Sequence, residues 1–184
     1  MGNPAGTSGC YLSYIVIALH KACATGGEGM ADGRVEGHLR KGSAAVWFVV
    51  AYVAITIIAV AFSLALRSLM HVGDTTSPTE NPAYVLAEKF FPALNLMVWT
   101  ACGWFYFRGR KLDASSRREA WMLGAVWLVA AVIVDFVGFV VIKNPISLTP
   151  KEFYVGQFPW IYLIYVMVTI GPACALYLKK QREP

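Results

Sequence analysis

Residues 121–142 read WMLGAVWLVAAVIVDFVGFVVI, an apolar run long enough to cross a bilayer that carries one acidic residue, Asp135, well inside it. A carboxylate placed in hydrocarbon costs about 2.5–3.5 kcal/mol on insertion scales, so intramembrane acids face other helices or a wet cavity. The rest of the chain must supply that shelter. Working outward, 57% of the 184 residues are hydrophobic and 15% are charged, with a positive mean hydropathy. A soluble domain carries about 25% charged residues. The charges are also segregated, because residues 44–66 hold none. These features define an all-helical integral membrane protein.

Four apolar segments of spanning length follow one another: residues 44–66, about 84–107, 121–142 and 159–178. At a rise of about 1.5 Å per residue each crosses a core of about 30 Å. The fold expected is a bundle of four transmembrane helices. In the first span Ala51, Ala54, Ala61 and Ala65 form a stripe on which a second helix can pack closely, and Thr56, off that stripe, should bond to its own preceding turn. Residues 67–82, with Pro78, Asn81 and Pro82, read as an exposed loop. Pro92 should bend the second span, and Gly171 with Pro172 should kink the fourth. Between the third and fourth spans, after Lys143, Asn144 and Pro145, Thr149-Pro150-Lys151-Glu152 has the form of a capping box. It predicts a short amphipathic helix over 151–156 in the outer loop, with Phe153 and Tyr154 lying along the membrane surface.

Residues 1–43 form a polar N-terminal tail, in which residues 1–29 stand apart. A short apolar run at 10–19 precedes Ala22, Cys23 and Ala24, yet it lacks the basic start of a signal peptide and is too short to span. Gly26, Gly27, Glu28 and Gly29 directly before Met30 correspond to purine-rich codons of the kind found at bacterial ribosome-binding sites, so translation is expected to start at Met30. Residues 179–184 form a basic tail. The termini and the second loop share twelve Lys and Arg: Lys21, Arg34, Arg40, Lys41, Arg108, Arg110, Lys111, Arg117, Arg118, Lys179, Lys180 and Arg182. The other side has Arg67, Lys89, Lys143 and Lys151. The positive-inside rule then places both termini in the cytoplasm of a multi-pass protein of the cell membrane.

The net charge of +5 is accounted for by this sidedness, and no Lys/Arg stripe accompanies it, which argues against nucleic acid as a partner. Cys10, Cys23, Cys102 and Cys174 show neither C-x-x-C nor zinc spacing. His20, His38 and His71 lie outside the middle of any span, so no haem, copper or other cofactor is expected. There is no phosphate-binding glycine loop, no G-x-S-x-G, no H-E-x-x-H, no paired carboxylates and no internal repeat.

Asp135 shares a stripe with Gly124, Leu128, Ala131, Gly138 and Ile142, a small-residue face that should turn it into the bundle. Counted from the cytoplasmic ends, Asp135 lies about 21 Å deep, Asn95 about 18 Å and Tyr165 about 20 Å. These three form the candidate intramembrane polar site, acting either as interhelical hydrogen-bonding groups or as a proton-titrating ligand anchor. Tyr162, Tyr165 and Thr169 make a polar stripe on the fourth span, read as interface belt and interhelical bonding. Arg108, Arg110, Lys111, Arg117 and Arg118 are candidate contacts for anionic lipid, besides setting topology, with Ser115 and Ser116 open to modification among them. Lys151, Glu152 and Tyr154 have neither a nucleophile nor a metal ligand beside them and read as surface helix. The role expected is non-enzymatic: an accessory or lipid-interacting subunit with membrane lipids as partners, working as a homo-oligomer or within a larger membrane complex. The alternative is a proton-coupled carrier of a small or lipophilic molecule that uses Asp135. A lipid-modifying enzyme is the third reading.

Overall fold

The computed structural model describes residues 39–72, 81–112, 114–142 and 149–182, all of them helix, turn or irregular chain with no strand. The readings of residues 1–38, of Pro78, and of Lys143, Asn144 and Pro145 fall outside those residues. In chain order the helices are α1 (Lys41–Met70), α2 (Pro82–Glu88), α3 (Phe91–Phe107), α4 (Ser116–Asp135) and α5 (Trp160–Arg182). A π-helical segment, Phe136–Val141, continues α4, and a second, Glu152–Gly156, precedes α5. Three helices are long and apolar enough to cross a membrane, or four if the bent pair α2 and α3 makes one span. Their outward faces carry large apolar side chains such as Ile57, Val60, Val129 and Ile133, each more than half exposed. Lipid is the solvent that suits such a surface.

The bend in the second span is a break of 47°. Proline clashes with the carbonyl four residues earlier and donates no hydrogen bond. That residue is Glu88, where α2 stops, and Pro92 takes the first turn of α3, where a missing N–H is tolerated. α2 itself starts at a proline behind Asn81, whose Oδ1 accepts from the Ala83 N–H at 3.0 Å. The expected bend within one helix is therefore two helices. At the far end of α3 the chain turns through Gly109 at φ +74°, a left-handed conformation that glycine adopts without a Cβ penalty.

Close packing follows the small residues, though not along the whole expected stripes. A Cβ on Gly171 of α5 would lie 2.7 Å from the Cβ of Trp99, and one on Gly103 of α3 would meet the Pro172 Cα at 3.0 Å. α3 and α5 thus approach nearly backbone to backbone, and Pro172 sits inside an unbroken helix. A Cβ on Gly124 would fall 2.1 Å from the Thr169 carbonyl oxygen, which locks α4 to α5. Beyond Asp135 the wider π-turns shift the register, so Gly138 faces open space and Ile142 is exposed. On α1 the packed positions are Ala44, Ala51 and Ile55, whereas Ala61 and Ala65 are exposed. Thr56 Oγ1 donates to its own turn, to the Tyr52 carbonyl at 2.7 Å.

Two ends of the molecule are well defined. At one, the Arg40 N–H donates to Tyr106 Oη at 3.2 Å, Trp127 Nε1 donates to the Ala44 carbonyl at 2.9 Å, and Trp47 stacks on Phe105 at 5.2 Å. At the other, Phe62 meets Phe90 at 5.7 Å, and Gln157 Nε2 donates to Tyr84 Oη at 3.3 Å. The capping box forms there: the Thr149 N–H donates to Glu152 Oε2 at 2.8 Å and the Glu152 N–H to Thr149 Oγ1 at 3.2 Å. These bonds hold the exposed Glu152 carboxyl below its ordinary range. Behind the box the chain forms the π-helical segment Glu152–Gly156, and its Phe153 does not face outward as expected. Phe153 is 4% exposed and plugs this end of the core.

Candidate functional site

Asp135 ends the α-helical part of α4, and both of its carboxylate oxygens are held by phenols from other helices. Tyr52 Oη of α1 donates to Oδ1 at 2.5 Å, and Tyr165 Oη of α5 donates to Oδ2 at 3.0 Å. Three helices are thereby joined at one side chain. Asp135 makes no ion pair with a described residue, so the phenols are the partners it has there. Of the three expected site residues, Asp135 and Tyr165 meet. Asn95 does not join them: its Nδ2 donates to the Phe91 carbonyl at 2.9 Å, and its Oδ1 accepts from Trp99 Nε1 at 3.0 Å. The indole takes the amide because a buried Trp N–H needs an acceptor and lies one helical turn away.

Tyr52 was not singled out from sequence. Depth counting fails for it, since it lies only about 12 Å from the start of the first span. Its signal was chemical: it is the one tyrosine between Ala44 and Leu66, and a phenol within an apolar bundle needs a hydrogen-bond partner. Of the fourth-span stripe, Tyr165 is buried, Tyr162 is exposed at 46%, and Thr169 Oγ1 bonds back to the Tyr165 carbonyl at 2.9 Å.

A cavity of about 480 Å³ opens beside this triad, between α1, α3, α4 and α5, and continues toward the end that carries α2 and Phe153. Asp135, Tyr52, Trp99 and Tyr165 line its deep part, while Arg67, Asn81, Glu88 and Gln157 line the part toward that end. The side wall from α1 includes Ile55, Ala59, Val60 and Leu64. The hydroxyls on this wall are satisfied locally, Thr56 by Tyr52 and Ser63 by the Ala59 carbonyl at 2.8 Å. Trp99 is held in place against Phe48 at 5.6 Å and Trp127 at 5.3 Å. The volume falls within the range of about 300–1,000 Å³ typical of small-molecule sites.

The basic loop at the opposite end is partly committed to the fold. Arg110 pairs with the buried Glu119 at 2.6 Å, and Tyr106 Oη donates to the same Oε1 at 2.6 Å. Lys179 is buried as well, its Nζ donating to the Phe107 carbonyl at 2.8 Å and to that of Arg110, so it caps α3. Arg108, Lys111, Arg117 and Arg118 are exposed. Lys179 was read as a tail charge and Glu119 was not singled out, because α4 and α5 extend further than their apolar runs. Among the described residues no group of three or more His, Cys, Asp or Glu side chains could hold a metal ion. Compared with protein-family models, curated proteins and solved structures, the chain matches none.

Proposed function

We propose that the chain is a four-span protein of the cell membrane, with both termini cytoplasmic, that binds a lipid or another lipophilic molecule without chemically changing it. The cavity beside Asp135 carries this reading. A concave, mostly apolar space with a few convergent polar groups is the usual form of a small-molecule site. Its position between helices and its apolar walls suit a ligand drawn from the bilayer. The exposed Arg108, Lys111, Arg117 and Arg118 suit contacts with anionic headgroups at the cytoplasmic surface. Membrane lipids are thus the partners proposed, with a second copy or a larger membrane complex around the chain.

Native mass spectrometry of the protein released from mild detergent tests the reading. The expected spectrum shows a retained lipophilic molecule, and Ala59→Trp, which fills the cavity from α1, removes it. A chain that carries nothing, or an Ala59→Trp variant that retains the same mass, refutes the cavity as the site. One observation favours proton-coupled carriage as a second reading: an ionisable group lies at the deep end of a path that opens toward one face. In liposomes that reading requires substrate flux with proton movement, and Asp135→Asn, which keeps the shape and cannot titrate, should abolish it while the protein still folds.

A further inference from the structure

The chemistry of the cavity's two ends selects one class of ligand. In the deep part both carboxylate oxygens of Asp135 accept from phenols, which leaves about two of their four lone-pair sites unused. No described cation pairs with them. Arg67, the basic residue on the wall, is fifteen positions beyond Tyr52 on α1, about 22 Å along the helix. A partly buried carboxylate without a cation is costly, and an arriving positive charge offsets part of that cost. Among the described residues no group of three or more His, Cys, Asp or Glu side chains could hold a metal ion, and the other carboxyl in the lining, Glu88, belongs to the part near Arg67. An organic cation finds aromatic rings, and cations are attracted to aromatic faces, most strongly to tryptophan. Trp99, Tyr52 and Tyr165 line this part of the cavity, and Phe91 lies further along it. Toward the other end the lining carries both Arg67 and Glu88, and the walls between are apolar.

We propose that the cavity takes a lipophilic amine: its ammonium group pairs with Asp135 among Tyr52, Trp99 and Tyr165, and its apolar body lies along α1. This rests on the reading of the cavity as a binding site and narrows it to one head group. Positioning follows from the same geometry. The phenols fix the carboxylate between α1 and α5, and Asn95, held by Trp99, keeps the indole in its place on the wall.

The test uses the full chain in phosphatidylcholine nanodiscs and three probes that differ only at the head: octylammonium, octanol and octanoate. Binding is followed by tryptophan fluorescence, with empty nanodiscs subtracted. The expected result is saturable binding of octylammonium at least tenfold tighter than octanol, with octanoate weaker still. Asp135→Asn should abolish the tenfold preference for octylammonium over octanol, its folding checked by an unaltered melting transition. The comparison of probes on the unmodified chain decides the matter even where that variant misfolds. Equal binding of amine and alcohol would overturn the amine assignment and leave the cavity as a lipophilic site. Absence of binding by all three probes would overturn both.

Discussion

Glu119 shows how a side chain next to a basic loop can belong to the core. It is 2% exposed, accepts from Tyr106 and pairs with Arg110, and Tyr106 in turn accepts from the Arg40 N–H, so α1, α3 and α4 meet through it. Breaking a fully buried ion pair costs about 3–5 kcal/mol. Arg110 is 29% exposed and water can take over part of its solvation, so a smaller effect applies here. Glu119→Leu should cost about 2 kcal/mol, chiefly by stranding the Tyr106 hydroxyl. In a chain of this size that is a fall of about 4–8 °C in melting temperature. Arg118→Ala, at an exposed position one residue away, should stay within about 0.5 kcal/mol. Equal melting of the two variants in detergent would show that the network holds nothing together.

Among the helices, the glycines of one apparent stripe separate into two kinds. Gly124 is where the backbone of α5 passes, with the Thr169 carbonyl oxygen inside the space a methyl group would need, whereas a Cβ on Gly138 would meet nothing within 4 Å. Gly124→Ala should therefore push α4 from α5 and cost about 1–3 kcal/mol, as overpacking does. Gly138→Ala should be neutral or gain up to about 1 kcal/mol, since alanine is the better helix former. Chemical unfolding of the matched pair checks both, and a destabilised Gly138→Ala would mean that the stripe continues past Asp135 after all. The contrast also shows what the sequence could and could not say. Long apolar runs were legible as helices of spanning length and the capping box from Thr149 and Glu152, whereas Gly171 was read with Pro172 as a kink and not as the place where α3 and α5 approach. The π-turns at Phe136–Val141 were not legible, because nothing in FVGFVV distinguishes them from α-helix. Pro92 was read as a bend because its clash with the Glu88 carbonyl fixes where a helix fails without fixing whether it restarts at once. Asp135 was visible as a misplaced acid, and Tyr165 as a phenol at matching depth. Tyr52 was missed because helices of unequal overhang make depth counting unreliable across a bundle.

Taken as a whole, the chain distributes its basic residues unequally, and that inequality bears on what the cavity can serve. Among the described residues, the end with the 108–115 turn holds ten Lys and Arg: Arg40, Lys41, Arg108, Arg110, Lys111, Arg117, Arg118, Lys179, Lys180 and Arg182. The end toward which the cavity runs holds Arg67, Lys89 and Lys151. Some of the ten are structural, since Lys179 caps α3 and Arg110 pairs with Glu119, but translocation responds to the charge of a segment before it folds, so they count fully. The basic end should be cytoplasmic, and the cavity should then open to the outer leaflet. Lys111 and Lys151 are both exposed and lie at opposite ends, so each can carry a cysteine in a background lacking the four native ones. A membrane-impermeant thiol reagent should label Lys151→Cys on intact cells, and Lys111→Cys only after permeabilisation. The reverse pattern would turn the mouth beside Arg67 and Gln157 to the cytoplasm, and the amine would have to come from within the cell. The labelling pattern decides from which leaflet Asp135 is approached, which no binding measurement on detergent-purified protein can do.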